Sequence, residues 1–327
     1  MREKEFRDYM KKLSLDSRRM ESAVKSVQAF ERHLRVNGKS IKSASVEDLK
    51  GYISLLMAEK RCSQEGLLDI ARYVRLVKMN DLFVYLASIV GARTVLPSIS
   101  ERLVAIVGEE ARRRVFDGVE APQPGSPPEA FPPVTKRMME RLEAELTPET
   151  CRRVLAGNNH LVPRESFNDQ REMYLRTRDI DEVLKDMHNK GVKELEEYMV
   201  EGKIWWEQKI TPRVVEFVRN NQEILAGVRD GDKIYTTKIP YAPDDYLGET
   251  DPLMRRYYAC HCPLARASIL GGDAKISPTW CYCSGGYHKL PFDVIFDKEL
   301  EVEVLESALA GDDRCRFAVK IPRSALK

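Results

Sequence analysis

KIYTTKIPY, residues 233–241, is the stretch that decides the fold class, because apolar and polar residues alternate along it as they do in a half-buried β-strand. The same two-residue rhythm occurs in DVIF, residues 293–296, in EVEVLES, residues 301–307, and in DDRCRFAVKIP, residues 312–322. Several such stretches close together predict an antiparallel sheet in the C-terminal part of the chain.

Upstream of this sheet the apolar pattern is that of helices. Apolar residues recur at steps of three and four up to the helix-ending pair Asn37-Gly38, namely Ala23, Val27, Phe30 and Leu34. Ser45, three residues before Asp48, predicts the capped start of the next helix. We therefore expect a helical bundle over residues 1–118 and an α+β chain overall.

A proline-rich stretch separates the two patterns. Residues 120–133, EAPQPGSPPEAFPP, contain six prolines and cannot sustain a helix. This predicts a linker over residues 119–134, followed by a mixed α/β domain with an antiparallel sheet over residues 135–327. Within that domain Thr147-Pro148 and Thr211-Pro212 predict helix starts, because threonine caps a helix and proline suits its first position.

Composition narrows the class of protein. The 327 residues are 43% hydrophobic with a formal net charge of +2, so the chain lacks the basic excess that indicates a polyanion partner. There is no run of about 18 apolar residues and no apolar export signal at the charged N-terminus. We expect a cytoplasmic protein with no membrane partner.

Four of the seven cysteines form two Cys-x-Cys pairs, Cys260/Cys262 and Cys281/Cys283. Side chains two apart in an extended segment share a face, so the four thiolates could meet at one ion. Such a ligand set suits tetrahedral Zn²⁺, which we predict as the cofactor, or an iron–sulfur cluster as the alternative. Secondary ligand candidates are His261, His288 and Cys315. Redox-active thiols and buried structural cysteines are the other interpretations.

Other residues are candidates for a small-molecule pocket. Trp205 and Trp206 are adjacent and point in different directions, so one could fill the core while the other lines a cavity. His160 and Tyr287 are further pocket candidates, and Cys151 with His160 could form a nucleophile and a base. Gly271-Gly272-Asp273 lacks the Lys-Ser/Thr of a phosphate-binding loop and predicts a plain turn.

The C-terminal cysteine pattern resembles that of two related groups of proteins. The Cys-x-Cys-Pro opening at Cys260, the second cysteine pair and the closing Gly311-Asp312 with Cys315-Arg316-Phe317 are similar to the 4-vinyl-reductase-like sensor domain and to the L-2-amino-thiazoline-4-carboxylic acid hydrolase-like family. The resemblance implies a curved sheet wrapped by helices around a small-molecule pocket, with cysteines that bind metal or sense redox state.

The N-terminal part resembles a different family. VQAFERHLRVNGKSIKSASVEDLKGYISLLM, residues 27–57, is similar to the helical core-binding domain of tyrosine recombinases. That resemblance implies nucleic-acid contacts from a set of basic residues: Lys60, Arg61, Arg72, Arg75 and Lys78. An interaction bundle that forms a homo-oligomer is the favoured alternative, because helix packing produces the same apolar pattern.

Taken together, these patterns predict a cytoplasmic, zinc-binding protein whose C-terminal domain binds a small molecule as a sensor does. A metal- or thiol-dependent hydrolase of a small C–N or C–S substrate is the alternative, since an ion with an open position activates water. A DNA-associated regulator that responds to redox state or ligand is a weaker one.

Overall fold

The computed structural model of the protein describes residues 1–91, 93–271 and 275–323. Within these ranges the chain divides into two compact units: the first comprises residues 1–91 and 122–128, and the remaining described residues form the second. This division differs from the expected limits, because the helices after residue 93 belong to the second unit. The turn predicted at Gly271-Gly272-Asp273 lies partly outside the described residues.

The first unit is helical, as predicted. Its helices are α1 (Glu3–Lys12), α2 (Ser17–Val36), α3 (Val46–Ala58), α4 (Gln64–Leu76) and α5 (Asn80–Val90). Helix α2 ends before Asn37-Gly38, and at the start of α3 the Ser45 side chain accepts from the Asp48 amide while Asp48 reaches back to the Ser45 amide. Both local signals therefore determine the helix ends that they predicted.

A buried carboxylate holds this unit together. Asp69 of α4 is fully buried, and Arg19 of α2 donates to both of its oxygens at 2.8 and 2.6 Å. Arg72 donates to the same carboxylate at 3.0 Å. Because a buried charge is costly without partners, this bidentate contact fixes α2 against α4.

Part of the proline-rich stretch packs against the first unit. Gly125 has a φ of +88°, and a Cβ placed there would lie 2.7 Å from Ile53 Cγ2 and 2.8 Å from Cys62 Sγ. A residue with a side chain would therefore be both strained and too large. Residues 122–128 are thus a packed segment, where composition alone indicated a linker.

One stretch, Asn80–Ile106, is long and apolar enough by length and composition to cross a membrane, with a mean hydropathy of 1.6. It covers α5 and α6 (Val95–Ile106), and about half of the apolar window is buried within the protein. Core helices meet the same criterion, so this feature does not by itself indicate a membrane location.

The second unit mixes helices with strands. After α6 its helices are α7 (Glu109–Phe116), α8 (Phe131–Glu145), α9 (Pro148–Leu155), α10 (Asn168–Thr177), α11 (Ile180–Glu201), α12 (Pro212–Arg219), α13 (Pro243–Gly248), α14 (Pro252–Ala259) and α15 (Tyr282–Ile295). The threonine caps are as predicted: Thr147 accepts from the Thr150 amide at 3.3 Å, and Thr211 from the Val214 amide at 3.4 Å.

Two antiparallel sheets belong to this unit. A short hairpin pairs β1 (Ile204–Trp205) with β2 (Gln208–Lys209), and the larger sheet has the order β3-β4-β6-β5, built from β3 (Val228–Asp230), β4 (Lys233–Thr237), β5 (Glu301–Glu306) and β6 (Arg316–Lys320). The α+β prediction is confirmed. The strand predicted at residues 293–296 is wrong, because these residues close α15, where Val294 and Ile295 are both buried. A short apolar run cannot distinguish the two structures.

Two adjacent glycines let α15 approach its neighbours closely. A Cβ on Gly285 would lie 3.2 Å from Val302 of β5, and one on Gly286 would lie 2.3 Å from the Gly157 carbonyl oxygen. Glycine is unfavourable inside a helix by about 1 kcal/mol relative to alanine. The cost is offset here because the helix can contact both the sheet and the backbone that follows α9.

Candidate functional site

A lysine lies on the face of the sheet that packs against α15. In β4, the side chains of Ile234 and Thr236 are buried on one face of the sheet. Lys238 follows the strand by one residue, and its position two after Thr236 places it on the same face. Its amide donates to the Cys315 carbonyl at 2.9 Å, and its Nζ donates to Ser284 Oγ of α15 at 2.9 Å. Lys238 is not among the residues predicted for the site, although a lysine at a core-facing position of the apolar–polar alternation is a recognisable signal.

The second Cys-x-Cys pair is helical, which makes its predicted extended geometry wrong. Cys281 ends a 3₁₀ turn, Pro278–Cys281, and Cys283 lies in the first turn of α15. Residues two apart in a helix point in different directions. Accordingly Cys281 Sγ lies 2.9 Å from Ser307 Oγ, while Cys283 Sγ lies 3.8 Å from Asn159 Nδ2 and 3.9 Å from His160 Nε2.

The cysteines nevertheless gather in one interior region. Burial raises the pKa of the Cys281 thiol, and the charges of Cys315, Cys260 and Cys262 raise it further. Burial also raises the pKa of Cys283 to about 12, with a further contribution from Cys262. Cys262 accepts from Trp280 Nε1 at 3.1 Å. Both predicted pairs, together with Cys315, are therefore within electrostatic reach of one another.

These thiols are not arranged as a ligand set. Among the described residues, no three side chains of the His, Cys, Asp and Glu types are placed to hold a metal ion. Burial raises the pKa of Cys260 to about 12, so its thiol is protonated near neutral pH. A metal would have to displace these protons and turn Cys281 and Cys283 away from their present partners.

Two imidazoles face the same region. His261 Nε2 contacts the Ile239 carbonyl at 2.6 Å, and Gln208 Nε2 contacts its Nδ1 at 3.4 Å. Desolvation lowers the pKa of His261 well below its usual value, with a further contribution from Lys238. His288 stacks on Phe317 of β6 at 4.8 Å, and desolvation lowers its pKa to about 3. Both rings are therefore neutral near neutral pH.

A row of rings leads from the surface to this region. The exposed His160 lies 5.5 Å from the Tyr287 ring, which is 39% exposed, and Tyr287 lies 5.6 Å from His288. Desolvation lowers the pKa of His160, although its exposure means that water screens the shift. Cys151, its predicted partner, donates to the Leu142 carbonyl at 3.4 Å, and burial raises its pKa to about 11. The structure thus places His160 beside Cys283, whereas its predicted partner was Cys151.

A second cation, Arg266, packs on a ring that contacts His261. The Arg266 guanidinium lies 3.7 Å from the centre of the Tyr241 ring, and the Tyr241 ring meets His261 edge-on at 5.5 Å. Burial raises the pKa of Glu207, while Arg266 and Lys238 both oppose that rise. The Tyr241 hydroxyl faces Glu207 and Arg266 outside hydrogen-bond geometry. Lys238 and Arg266 therefore both influence the ionisation of Glu207.

We call this region the Lys238 site and define it by Lys238, the two imidazoles, Arg266 and five thiols: Cys260, Cys262, Cys281, Cys283 and Cys315. Around it lie buried polar atoms that have no hydrogen-bond partner among the residues that the structure describes. They are Asn159 Oδ1, Gln208 Oε1, Thr236 Oγ1, Tyr241 Oη, Arg266 Nη1 and His288 Nε2. Native interiors satisfy nearly all such groups with protein, water or ligand, so their concentration here requires an explanation.

The tryptophans lie to one side of this site. Trp205 is half-buried against the apolar cluster that includes Val214 and Ile224. Trp206 is 63% exposed and has a φ of +52° in the turn of the β1–β2 hairpin. Trp205 thus packs against the core, and Trp206 faces solvent. Two surface hollows, one lined by Arg113 and Arg141 and the other by Phe217 and Leu247, include no residue of the Lys238 site.

Comparison with known proteins returns one family model that matches part of the chain, and no activity. Residues 244–326, about a quarter of the chain, match the model of a family of unknown function (DUF6144). No curated protein and no solved structure matches the chain. The comparisons thus return neither a 4-vinyl-reductase-like domain nor a recombinase core-binding domain. The matched region includes both cysteine pairs, Arg266 and α15, and therefore much of the Lys238 site.

Proposed function

We propose that the second unit is a small-molecule-binding domain whose ligand occupies the Lys238 site. The observation that carries this proposal is the set of buried polar atoms without partners around that site. Each such atom costs about 1–3 kcal/mol if it stays unpaired. A ligand or trapped water that supplies the missing bonds removes this cost, and a ligand does so with chemical specificity.

The accessibility of the site supports the same proposal. Cys262, Cys281, His261 and His288 are half-buried, so each keeps part of its surface accessible to a molecule the size of water. A small polar ligand could therefore contact these side chains. His160 and Tyr287, at the outer end of the row of rings, are the natural entrance.

We propose binding in preference to the hydrolase alternative. Cys283 lies beside His160 and Asn159, which are residue types that assist a nucleophilic thiol. However, a nucleophile must be a thiolate, and burial raises the pKa of Cys283 to about 12. A thiol that is protonated and only 4% exposed is suited to line a site.

A soft metal ion such as Zn²⁺, or an iron–sulfur cluster, is the second candidate for the same site. The favouring observation is the electrostatic contact among the thiols of Cys260, Cys262, Cys281 and Cys315. A centre with four thiolates carries excess negative charge, which the Lys238 ammonium would partly offset. This candidate requires the side chains to rearrange, because the present positions do not form a ligand set.

Native mass spectrometry of the full chain tests the proposal. We expect the native mass to exceed the mass in denaturant by one bound molecule, and elemental analysis of the same sample separates a metal from an organic ligand. Ser284→Leu, which fills the space beside Lys238, should reduce the bound fraction, while Ser100→Leu in α6 should not. Equal native and denatured masses after incubation with a small-molecule extract of the host cells would refute the proposal.

Other roles of the chain stay predictions. In the first unit Arg61 pairs with Glu59, and Arg72 with Asp69, so two of the basic residues expected to contact nucleic acid already have carboxylate partners. Self-association through this unit and a cytoplasmic location are likewise untested predictions, which size-exclusion chromatography and cell fractionation would check.

A further inference from the structure

We infer that the ligand of the Lys238 site carries an oxyanion group, a carboxylate or a phosphate, which Arg266 and Lys238 hold together. This inference rests on the proposed binding function and adds the chemical class of the ligand. It is drawn from the two cations that the site contains and from the partners that they lack.

Arg266 is a buried arginine without an ion-pair partner. It is 6% exposed, and among the described residues it makes no ion pair and its Nη1 has no hydrogen-bond partner. Arginine is almost never buried unless it is paired, because taking a guanidinium out of water is costly. A ligand oxyanion would supply the missing partner.

The environment of Arg266 orients it for such a ligand. Its guanidinium lies over the Tyr241 ring at 3.7 Å and within 5.3 Å of the Tyr257 ring centre. Stacking on aromatic faces fixes the plane of the guanidinium and leaves the edges with their N–H groups free. The planar fork matches the two oxygens of a carboxylate or phosphate.

Lys238 supplies a second, more mobile charge. Its ammonium donates to Ser284 Oγ at 2.9 Å, makes no ion pair with any described residue and has further N–H groups to donate. His261 links the two cations: its Nε2 contacts the carbonyl of Ile239, the residue after Lys238, and its ring meets the Tyr241 ring on which Arg266 packs. One anion between them would therefore feel both charges.

The groups around the Lys238 site do not fully neutralise the two cations. Glu207 is the carboxyl group that both influence, and even when ionised it offsets only one of the two positive charges. Besides Arg266 Nη1, three of the unpaired atoms can donate a hydrogen bond, namely Tyr241 Oη, Thr236 Oγ1 and His288 Nε2, while Asn159 Oδ1 and Gln208 Oε1 can only accept. An oxyanion has only acceptors, so the four donors and the net positive charge select the same chemistry. The positive charge also works against a free divalent cation.

Thermal shift and calorimetric titration of the full chain with four probes test the inference: benzoate, its neutral counterpart benzamide, phenyl phosphate and inorganic phosphate, each against chloride at equal ionic strength. We expect at least one oxyanion to raise Tm saturably and benzamide to have no effect. Arg266→Met and Lys238→Met should each weaken that binding by at least about tenfold, the value of a charge-assisted hydrogen bond. Arg176→Met, at an exposed position of α10, should bind as the wild type does.

The variants also keep a structural role of Arg266 distinguishable. Arg266→Lys retains the charge and loses the planar fork, so it should fold and bind with intermediate affinity. If Arg266→Met does not fold, Lys238→Met and Arg266→Lys carry the test. Equal stabilisation by benzamide and benzoate would refute the inference that the ligand carries an oxyanion, and it would leave the proposed binding function intact. Absence of any effect of the oxyanions also overturns it, and native mass spectrometry then decides the binding function separately.

Discussion

Gly286→Ala tests the packing that builds the Lys238 site. Gly286 lies in α15 where the helix meets the backbone that follows α9, and an added Cβ would lie 2.3 Å from the Gly157 carbonyl oxygen and 2.6 Å from the Ala156 carbonyl carbon. Both are backbone atoms, so no side-chain rotation relieves the contact. The helix must move away from this segment, which also carries Asn159 and His160.

The magnitude follows from two opposing terms. Alanine improves the helix interior by about 1 kcal/mol relative to glycine. A methyl group forced against the backbone costs about 3 kcal/mol, the upper end of the usual range for overpacking. The net loss is about 2 kcal/mol, which lowers Tm by about 4–8 °C in a unit of this size.

Differential scanning calorimetry measures this change. Gly51→Ala is the matched control, because Gly51 lies inside α3 with no atom within 4 Å of the added Cβ, and that variant should gain about 1 kcal/mol. If Gly286→Ala proved as stable as the wild type, α15 could not lie as close to residues 156–157 as the structure has it. A loss in both variants would point to a cause other than close packing.

Three further predictions concern buried ionisable side chains. Asp293→Asn leaves the buried Lys289 with only its 3.8 Å ion pair to Glu299 and should cost about 3 kcal/mol in urea unfolding, the lower end of the range for breaking a buried pair. Asp186→Asn, in a largely exposed pair, should cost less than about 1 kcal/mol; similar losses would argue against a buried pair. Burial raises the pKa of Cys260 to about 12, so iodoacetamide at pH 8 should leave this thiol unmodified in the folded protein. Peptide mapping measures the modification, and alkylation as fast as in the unfolded chain would contradict the prediction. Burial lowers the pKa of His288 to about 3, so between about pH 6.5 and 3 only the unfolded chain binds a proton at this residue. The free energy of unfolding therefore falls as the pH falls through that window. His288→Gln should reduce this loss, and an unchanged dependence of the free energy of unfolding on pH would count against the prediction.

Local signals in the sequence predicted local structure well. The caps at Ser45, Thr147 and Thr211 mark helix starts in the structure because a side chain bonds an amide only three residues away. The alternation at residues 233–237 became β4. Residues 293–296 failed the same test, since an apolar run of four residues fits a buried helix turn as well as a strand.

The candidate site was predictable only in part. The two Cys-x-Cys pairs pointed to the region, and the structure places them within electrostatic reach of one another and of Cys315. Their relation as ligands was not predictable from spacing, because the helical start of α15 turns Cys283 toward Asn159 and away from the side of Cys281. Arg266 carried no local signal, since nothing adjacent in sequence reveals that it is buried without a partner.

The sequence by itself determined the helix starts at Ser45, Thr147 and Thr211, the strand at residues 233–237 and the α+β class, because caps, prolines and apolar periods act over a few residues. Only the tertiary structure decided that residues 122–128 pack with the first unit and that Lys238 and Arg266 act on one interior region. The physical reason is the distance in sequence over which each interaction acts. Burial and charge pairing depend on residues distant in sequence, and they determine which side chains lose water and which partners they still lack.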